Sequence, residues 1–227
     1  MRYQSIKGMS DIVPPESNQW EYVEGAARRF FRQRLYEEIR TPILEQSELF
    51  QRSIGEGTDI VTKEMYSFSD RGGRNMTMRP EMTASAVRAV IEHNLLSQRE
   101  PLKLFYMGTM FRAERPQAGR RRQFYQIGVE VIGNPTPYGD SDVIKDMVLF
   151  LQNVGLRTDD VTININHLGC ACCRPHFIET LRSFFATKRS DVCADCQVKL
   201  DKNVLRILDF KNPACRELAH KAPVVLD

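Results

Sequence analysis

Two runs of residues carry side chains at spacings that could do chemistry. The first is Phe124-Tyr125-Gln126-Ile127-Gly128-Val129-Glu130-Val131. Successive side chains on a strand point to opposite faces. Tyr125, Ile127, Val129 and Val131 would therefore share an apolar face, and Phe124, Gln126, Gly128 and Glu130 the other. That second face offers an aromatic ring, an amide, a carboxylate and a glycine that leaves open space. Upstream, Arg112 and Glu114 share parity where another strand enters a loop bearing Arg115, Arg120, Arg121 and Arg122. Forked arginine donors suit phosphate oxygens, and Phe124 gives a flat surface for a purine. A nucleotide is the natural ligand for this set. A half-solvated hairpin whose polar face meets only water satisfies the same parity.

The second run is cysteine-rich. Cys170-Ala171-Cys172-Cys173 and Cys193-Ala194-Asp195-Cys196 are two CxxC pairs separated by nineteen residues. Cys170, Cys173, Cys193 and Cys196 thus have the spacing of a four-thiolate zinc site. Buried thiols without metal fit the same residues, and Cys172 and Cys215 fall outside the pairs. His167, His176 and His220 are not at ligand spacing.

Elements must position these residues. Trp20, Val23, Ala27, Phe30, Phe31 and Leu35 recur at three- and four-residue spacing, which predicts a helix over 17–36 capped by Ser17. Residues 38–44 read as extended because Thr41 precedes Pro42, and 47–54 as a short helix ending near Gly55. Met65–Ser69 and Asn75–Arg79 read as strands about a turn at 70–73. Pro80 then breaks the second strand and opens a helix with Ala84, Val87, Ile91 and Leu95 as its stripe. Residues 102–132 are a hairpin around a loop with Pro116 and Gly119. A helix is expected over 143–154 and a strand over 161–165, with a domain boundary near 167.

Composition narrows the classes. The 227-residue chain is 42% hydrophobic and 27% charged, ordinary for a globular protein. Its net charge of +3 is too small to argue nucleic-acid binding from the balance alone. Mean hydropathy is −0.39, and no apolar run approaches the roughly 20 residues of a bilayer span. The N-terminus lacks the apolar core of a secretory signal, so a cytoplasmic protein with six reduced cysteines and no membrane partner is expected.

The stretch from Phe111-Arg112-Ala113-Glu114-Arg115-Pro116 to Gly119-Arg120-Arg121-Arg122-Gln123-Phe124 resembles motif 2 of class II aminoacyl-tRNA synthetases. Its continuation, Tyr125 to Glu130, is similar to the histidyl-tRNA synthetase version. The resemblance covers nearly the whole chain. It begins at Lys7-Gly8-Met9-Ser10-Asp11-Ile12-Val13-Pro14-Pro15, includes Arg79-Pro80-Glu81-Met82-Thr83, and ends at Asn203-Val204-Leu205-Arg206-Ile207-Leu208-Asp209. Residues 38–55 resemble motif 1, which in this family builds a homodimer interface.

The resemblance implies an α+β fold: an antiparallel sheet flanked by helices over 1–167, an incomplete class II core, followed over 168–227 by part of a small helical insertion. It implies histidine–tRNA ligation, in which ATP with Mg2+ activates histidine and the histidyl group passes to tRNA(His). Arg112 would be the catalytic residue, holding the α-phosphate of ATP as histidine's carboxylate attacks. Glu114 would contact the adenine amino group, Phe124 would stack on the ring, and Arg120 would reach the β- and γ-phosphates. Glu81 and Thr83 would bind histidine's ammonium, with Gln126 and Glu130 shaping the side-chain pocket. A complete enzyme would continue past Asp227 into motif 3 and an anticodon-binding domain, so the chain alone is expected to be inactive. Two other readings stand beside it. One is the non-catalytic, histidine-sensing regulatory subunit of ATP phosphoribosyltransferase, and the other a zinc-ribbon nucleic-acid module.

Overall fold

The computed structural model describes residues 3–54, 58, 60–165, 169–208 and 212–223. Gly55, residue 167 with its expected boundary, and Asp209 lie outside them. The chain divides into two compact units, Met1–Val161 and Thr162–Asp227.

The first unit is α+β. Helix α1 (Glu16–Gln33) leads to β1 (Glu37–Glu38), β2 (Leu44–Gln46) and α2 (Ser47–Ile54). Strands β3 (Tyr66–Ser69) and β4 (Asn75–Met78) then precede α3 (Thr83–Glu92), the long hairpin β5 (Leu102–Phe111) and β6 (Gln123–Ile132), and α4 (Pro137–Asn153). One sheet has the order β1-β5-β6, and the other β2-β4-β3. All pairs are antiparallel except β1 with β5. The hairpin register sets Tyr106 opposite Gly128, Gly108 opposite Gln126 and Leu104 opposite Glu130.

Parity sorts this hairpin as the alternation predicts. Ile127, Val129 and Val131 join Phe105 and Met107 in a cluster with Ala27, Phe30 and Phe31 of α1 and Phe150 of α4. Phe31 is fully buried and stacks on Phe105 with ring centroids 5.4 Å apart. On the inner side of α4, its buried Asp146 accepts hydrogen bonds from Arg34 Nε at 3.0 Å and Tyr36 Oη at 3.1 Å. On the opposite face of the hairpin, Leu102, Leu104, Tyr106 and Met110 pack against Met82, Ala86 and Val90 at and along α3.

The second sheet is inverted. Its inward row is polar: Thr77 is fully buried and shares 2.7 Å hydrogen bonds with both Ser47 and Ser67. Buried Glu45 accepts from Arg88 at 2.7 Å. The other row carries Leu44 and Phe68, 40% and 47% exposed.

Several local expectations are corrected. Ser17 lies inside α1, whose N-cap is Pro15. Leu35 lies beyond the helix with φ +64° and is exposed, because the chain turns there to bury Tyr36 instead. Of the expected stripe Ala84 is buried and Leu95 partly so, but Val87 and Ile91 are exposed, and Ala86, Ala89 and Val90 supply the rest of the inward face. Small side chains let that helix lie close to the sheet. Helix α4 starts six residues earlier than expected: Pro137 opens it and Thr136 Oγ1 accepts from Gly139 N at 3.3 Å. Residues 161–165 form no strand, and Ile163 and Ile165 are exposed.

The second unit is helical: α5 (Cys173–Ala186), α6 (Ala194–Lys202) and α7 (Pro213–Ala219). Phe177, Leu181 and Phe185 line one side of α5 at four-residue spacing. They bury against Val192, Cys196, Val204, Ile207 and Cys215.

Candidate active site

The hairpin is the floor of the candidate site, and the turn from β4 into α3 is its wall. Arg79 at the end of β4 is 5% exposed. Its Nε donates to Thr109 O of β5 at 2.9 Å and its Nη1 to Thr41 O at 2.8 Å. Burial holds this guanidinium below the usual arginine pKa, with Glu45 working the other way. Gly108 makes room for it: a Cβ there would lie 2.5 Å from Arg79 Nη2. The next two residues turn the chain into α3. The Glu81 carboxylate accepts from Thr83 N at 2.6 Å and Ala84 N at 3.0 Å, satisfying two of the helix's first N–H groups.

From that wall a chain of polar contacts crosses the hairpin. Thr83 Oγ1 lies 3.5 Å from Tyr106 Oη, which donates to Glu130 Oε1 at 3.2 Å. The expected open space at Gly128 is occupied. A Cβ there would lie 2.4 Å from the Tyr106 ring, so the glycine is what allows that ring to lie across the sheet. Burial, with the charge of Glu130, pushes the Tyr106 phenol up to about 12. It therefore remains a donor at neutral pH. Burial also pushes the Glu130 carboxyl above its ordinary range, helped by Glu81 and opposed by hydrogen bonds from Thr83 and Tyr106. Beside it, Gln126 Oε1 is buried with no hydrogen-bond partner.

At the loop end of the hairpin, Arg112 Nε donates to Pro80 O at 2.9 Å, which ties this arginine to the same wall. Its guanidinium carbon lies 5.1 Å from the Phe124 ring centroid. Glu114 sits between Arg112 at 3.9 Å and Arg120 at 3.4 Å. Four arginines at this end divide accordingly. Arg121 binds Ser10 Oγ at 3.0 Å, and Arg122 binds Glu114 O at 3.2 Å and Lys7 O at 3.4 Å. Gly8 O accepts the N–H groups of Arg122 and Gln123. The N-terminal segment thus buttresses the loop, and Arg112 and Arg120 remain on the Glu114 side.

Arg112, Glu114, Arg120 and Phe124 therefore gather at one end of a single hairpin face, and Glu81, Thr83 and Glu130 gather further along it. Gln126 lies between on the same strand row. Sequence reasoning missed Arg79, Tyr106 and Gly108. Parity does pair Tyr106 with Gly108 and Arg112, so alternation along β5 could have found those two; Arg79 follows a different strand. Chemically, the loop end presents guanidinium groups beside an aromatic face. The inner end presents two carboxylates with acceptor capacity beyond their present hydrogen bonds, and the row between carries the unpartnered Gln126 Oε1.

The cysteines are arranged differently from the expected quartet. Cys170 and Cys173 form an exposed pair with sulfurs 3.4 Å apart. Hydrogen bonds from Cys173 and Cys172 pull the Cys170 thiol down to about 7. Cys193, Cys196 and Cys215 gather separately, with sulfurs all within 4.8 Å of one another. Burial pushes the Cys196 thiol up to about 12.

Comparison with known proteins adds to this geometry. A family model described as Histidyl-tRNA synthetase matches residues 8–172. A histidine–tRNA ligase of Halothermothrix orenii is 50% identical over 227 residues, all of this chain and 54% of that protein. One of Geobacter metallireducens is 50% identical over 222 residues, covering 98% of this chain and 53% of that protein. The crystal structure of apo S. aureus histidyl-tRNA synthetase superposes with a TM-score of 0.74 at 34% identity, over 97% of this chain and 54% of that one. The chain spans about half the length of the curated relatives it matches.

Proposed function

This chain belongs to the histidyl-tRNA synthetase family, and from that premise we propose that it carries the histidine-activation site of a histidine–tRNA ligase. One observation carries the reading: a single hairpin face joins a guanidinium-bearing end to an end that holds the Glu81 and Glu130 carboxylates and the unpartnered Gln126 Oε1. Arg112, fixed by the Pro80 carbonyl, holds the α-phosphate of ATP, which arrives with its Mg2+. Charge developing there meets a preplaced cation, the usual source of rate in displacement at phosphorus. Phe124 supports the adenine, Glu114 takes its amino group, and Arg120 reaches the outer phosphates.

Histidine suits the other end for reasons of donor and acceptor count. Glu81 uses its oxygens on two helix N–H groups and still has lone pairs for an ammonium, with Thr83 alongside. Glu130 and Gln126 Oε1 want N–H donors, and an imidazole brings them. Tyr106 holds Glu130 in place. The activated histidyl group would then pass to tRNA(His). Relatives of about half identity named histidine–tRNA ligase support this over a histidine-sensing regulatory subunit. The likeness to a Bacillus halodurans structure described as ATP phosphoribosyltransferase regulatory subunit/histidyl-tRNA synthetase is 22% identical and speaks to fold alone.

Two ligands on one face permit a clean test by calorimetric titration. Arg112→Ala should weaken ATP binding and Glu130→Ala histidine binding, each by roughly ten- to a hundredfold, as for loss of a charged hydrogen-bond partner. Each variant should leave the other ligand nearly unaffected. Equal losses of both ligands in both variants would sink the assignment.

The inverted second sheet supports a homodimer. Leu44 and Phe68, exposed on one row of that sheet, give an apolar surface that a second copy would cover. Sedimentation should find a dimer, and Phe68→Asp should shift it toward monomer; unchanged sedimentation removes this face from the interface. No helix among the described residues is long and apolar enough to cross a membrane. Six cysteines outside any disulfide fit a reducing, cytoplasmic setting.

A further inference from the structure

The second unit is small for a self-supporting domain. Among the described residues its core cluster has eight buried members, of which Cys196 and Cys215 are two. Units of this size commonly need a staple beyond their apolar core. The three cysteines Cys193, Cys196 and Cys215 lie where a staple would act. Cys193 caps α6 and its carbonyl accepts from Cys196 N at 2.9 Å and Gln197 N at 3.0 Å. That turn sets the Cys193 and Cys196 sulfurs 3.3 Å apart. Cys215 comes from the first turn of α7, 1% exposed, and its sulfur accepts from Cys193 N at 3.3 Å.

Buried thiols often act as small hydrophobes, but hydrophobic packing gives no reason for three sulfurs to converge on one point. A metal does. Bonds of about 2.3 Å to zinc place tetrahedral ligands about 3.8 Å apart, within the range these sulfurs already span. A backbone N–H aimed at the Cys215 sulfur is the kind of contact that supports a metal-bound thiolate. We propose that Cys193, Cys196 and Cys215 bind one Zn2+ as three thiolates, joining the start of α6 to α7, with solvent as the fourth ligand on the half-buried Cys193 side. Cys170 and Cys173 take no part. On binding, three S–H bonds give way to three Zn–S bonds and the protons pass to solvent.

The test uses the reduced 227-residue chain, stripped with chelator and titrated with Co2+ as a spectroscopic probe. One equivalent should give the absorption of tetrahedral thiolate-bound cobalt, and one equivalent of Zn2+ should displace it. Cys215→Ser should abolish the signal, and the double variant Cys170→Ser, Cys173→Ser should keep it. Because Cys215→Ser alters a buried position, alkylation of the unaltered chain read by mass spectrometry gives a second measurement. Zn2+ should slow modification of Cys193, Cys196 and Cys215 by about tenfold or more, and leave Cys170, Cys172 and Cys173 unchanged. Absence of stoichiometric metal overturns the proposal. So does protection that includes Cys170 and Cys173, which would instead restore the four-thiolate arrangement.

Discussion

Strand β6 sends Ile127, Val129 and Val131 into the cluster beneath α1 and α4, and sends Gln126, Gly128 and Glu130 to the face where Thr83, Tyr106 and Arg112 meet. The two rows are interleaved on one backbone and held by one register. The first row is apolar throughout and packs, half-buried, on a finished core in which Phe105 of β5 is fully buried against aromatic rings. The second is not. It holds a desolvated carboxylate whose ionisation burial opposes and an amide oxygen with no partner. Placing unsatisfied polar atoms beside a finished core costs stability unless something else meets them. The contrast teaches that folding satisfies one row and leaves polar groups of its neighbour to be met by something else, as the proposed histidine would.

Substitutions on the two rows should separate these roles. Phe105→Ala removes the largest shared contact of the core row and should cost about 3–5 kcal/mol in urea denaturation. The remaining folded protein should bind ATP and histidine with affinities unchanged. Loss of affinity without loss of stability would merge the rows. Gly128→Ala should cost less, about 1–3 kcal/mol, because the new methyl forces the Tyr106 ring off the sheet. Its signature should be weaker histidine binding from loss of the Tyr106–Glu130 hydrogen bond, and native histidine affinity would show that the ring has no positioning role.

How much of this was readable in the sequence depends on the length scale of the signal. Strict alternation over 124–131 placed each side chain of β6 on its correct face, because a period of two leaves no freedom within a strand. The α+β class followed from the same pattern beside helical periodicity. Site geometry depended on cross-strand and inter-element contacts. Tyr106 reads as one more core aromatic until register sets it over Gly128. Helix α3 offers two apolar stripes, and the alanine one wins because it approaches the sheet closely, a choice that hydrophobicity alone ranks backwards. Cys215 joins Cys193 and Cys196 only through the packing of α7, which no local spacing encodes.

The smallest expected effect sharpens the comparison most. Glu130 has a folded-state pKa above the ordinary carboxyl value of 4.5. Folding therefore opposes its ionisation, a penalty absent below that value and complete once pH has risen through the raised one. Glu130→Gln removes the charge and keeps the shape. At pH 7 it should melt a few degrees higher than the native chain, on the order of a sub-kcal/mol gain. The gap should close as pH falls toward 4.5. A lower melting temperature at pH 7 would mean that the carboxylate stabilises the fold, and the distinction between the two rows would fail.

Arg79 has a mechanical consequence. Its guanidinium is fastened to Thr41 on one side and Thr109 on the other, while Pro80, the next residue, is fastened to Arg112. Glu81 follows and fastens the first turn of α3. Three consecutive residues thus act as a row of rivets through two sheets and a helix. Arg112 and Glu81 are therefore placed by contacts that run through one three-residue stretch, and the two ends of the candidate site share that anchor.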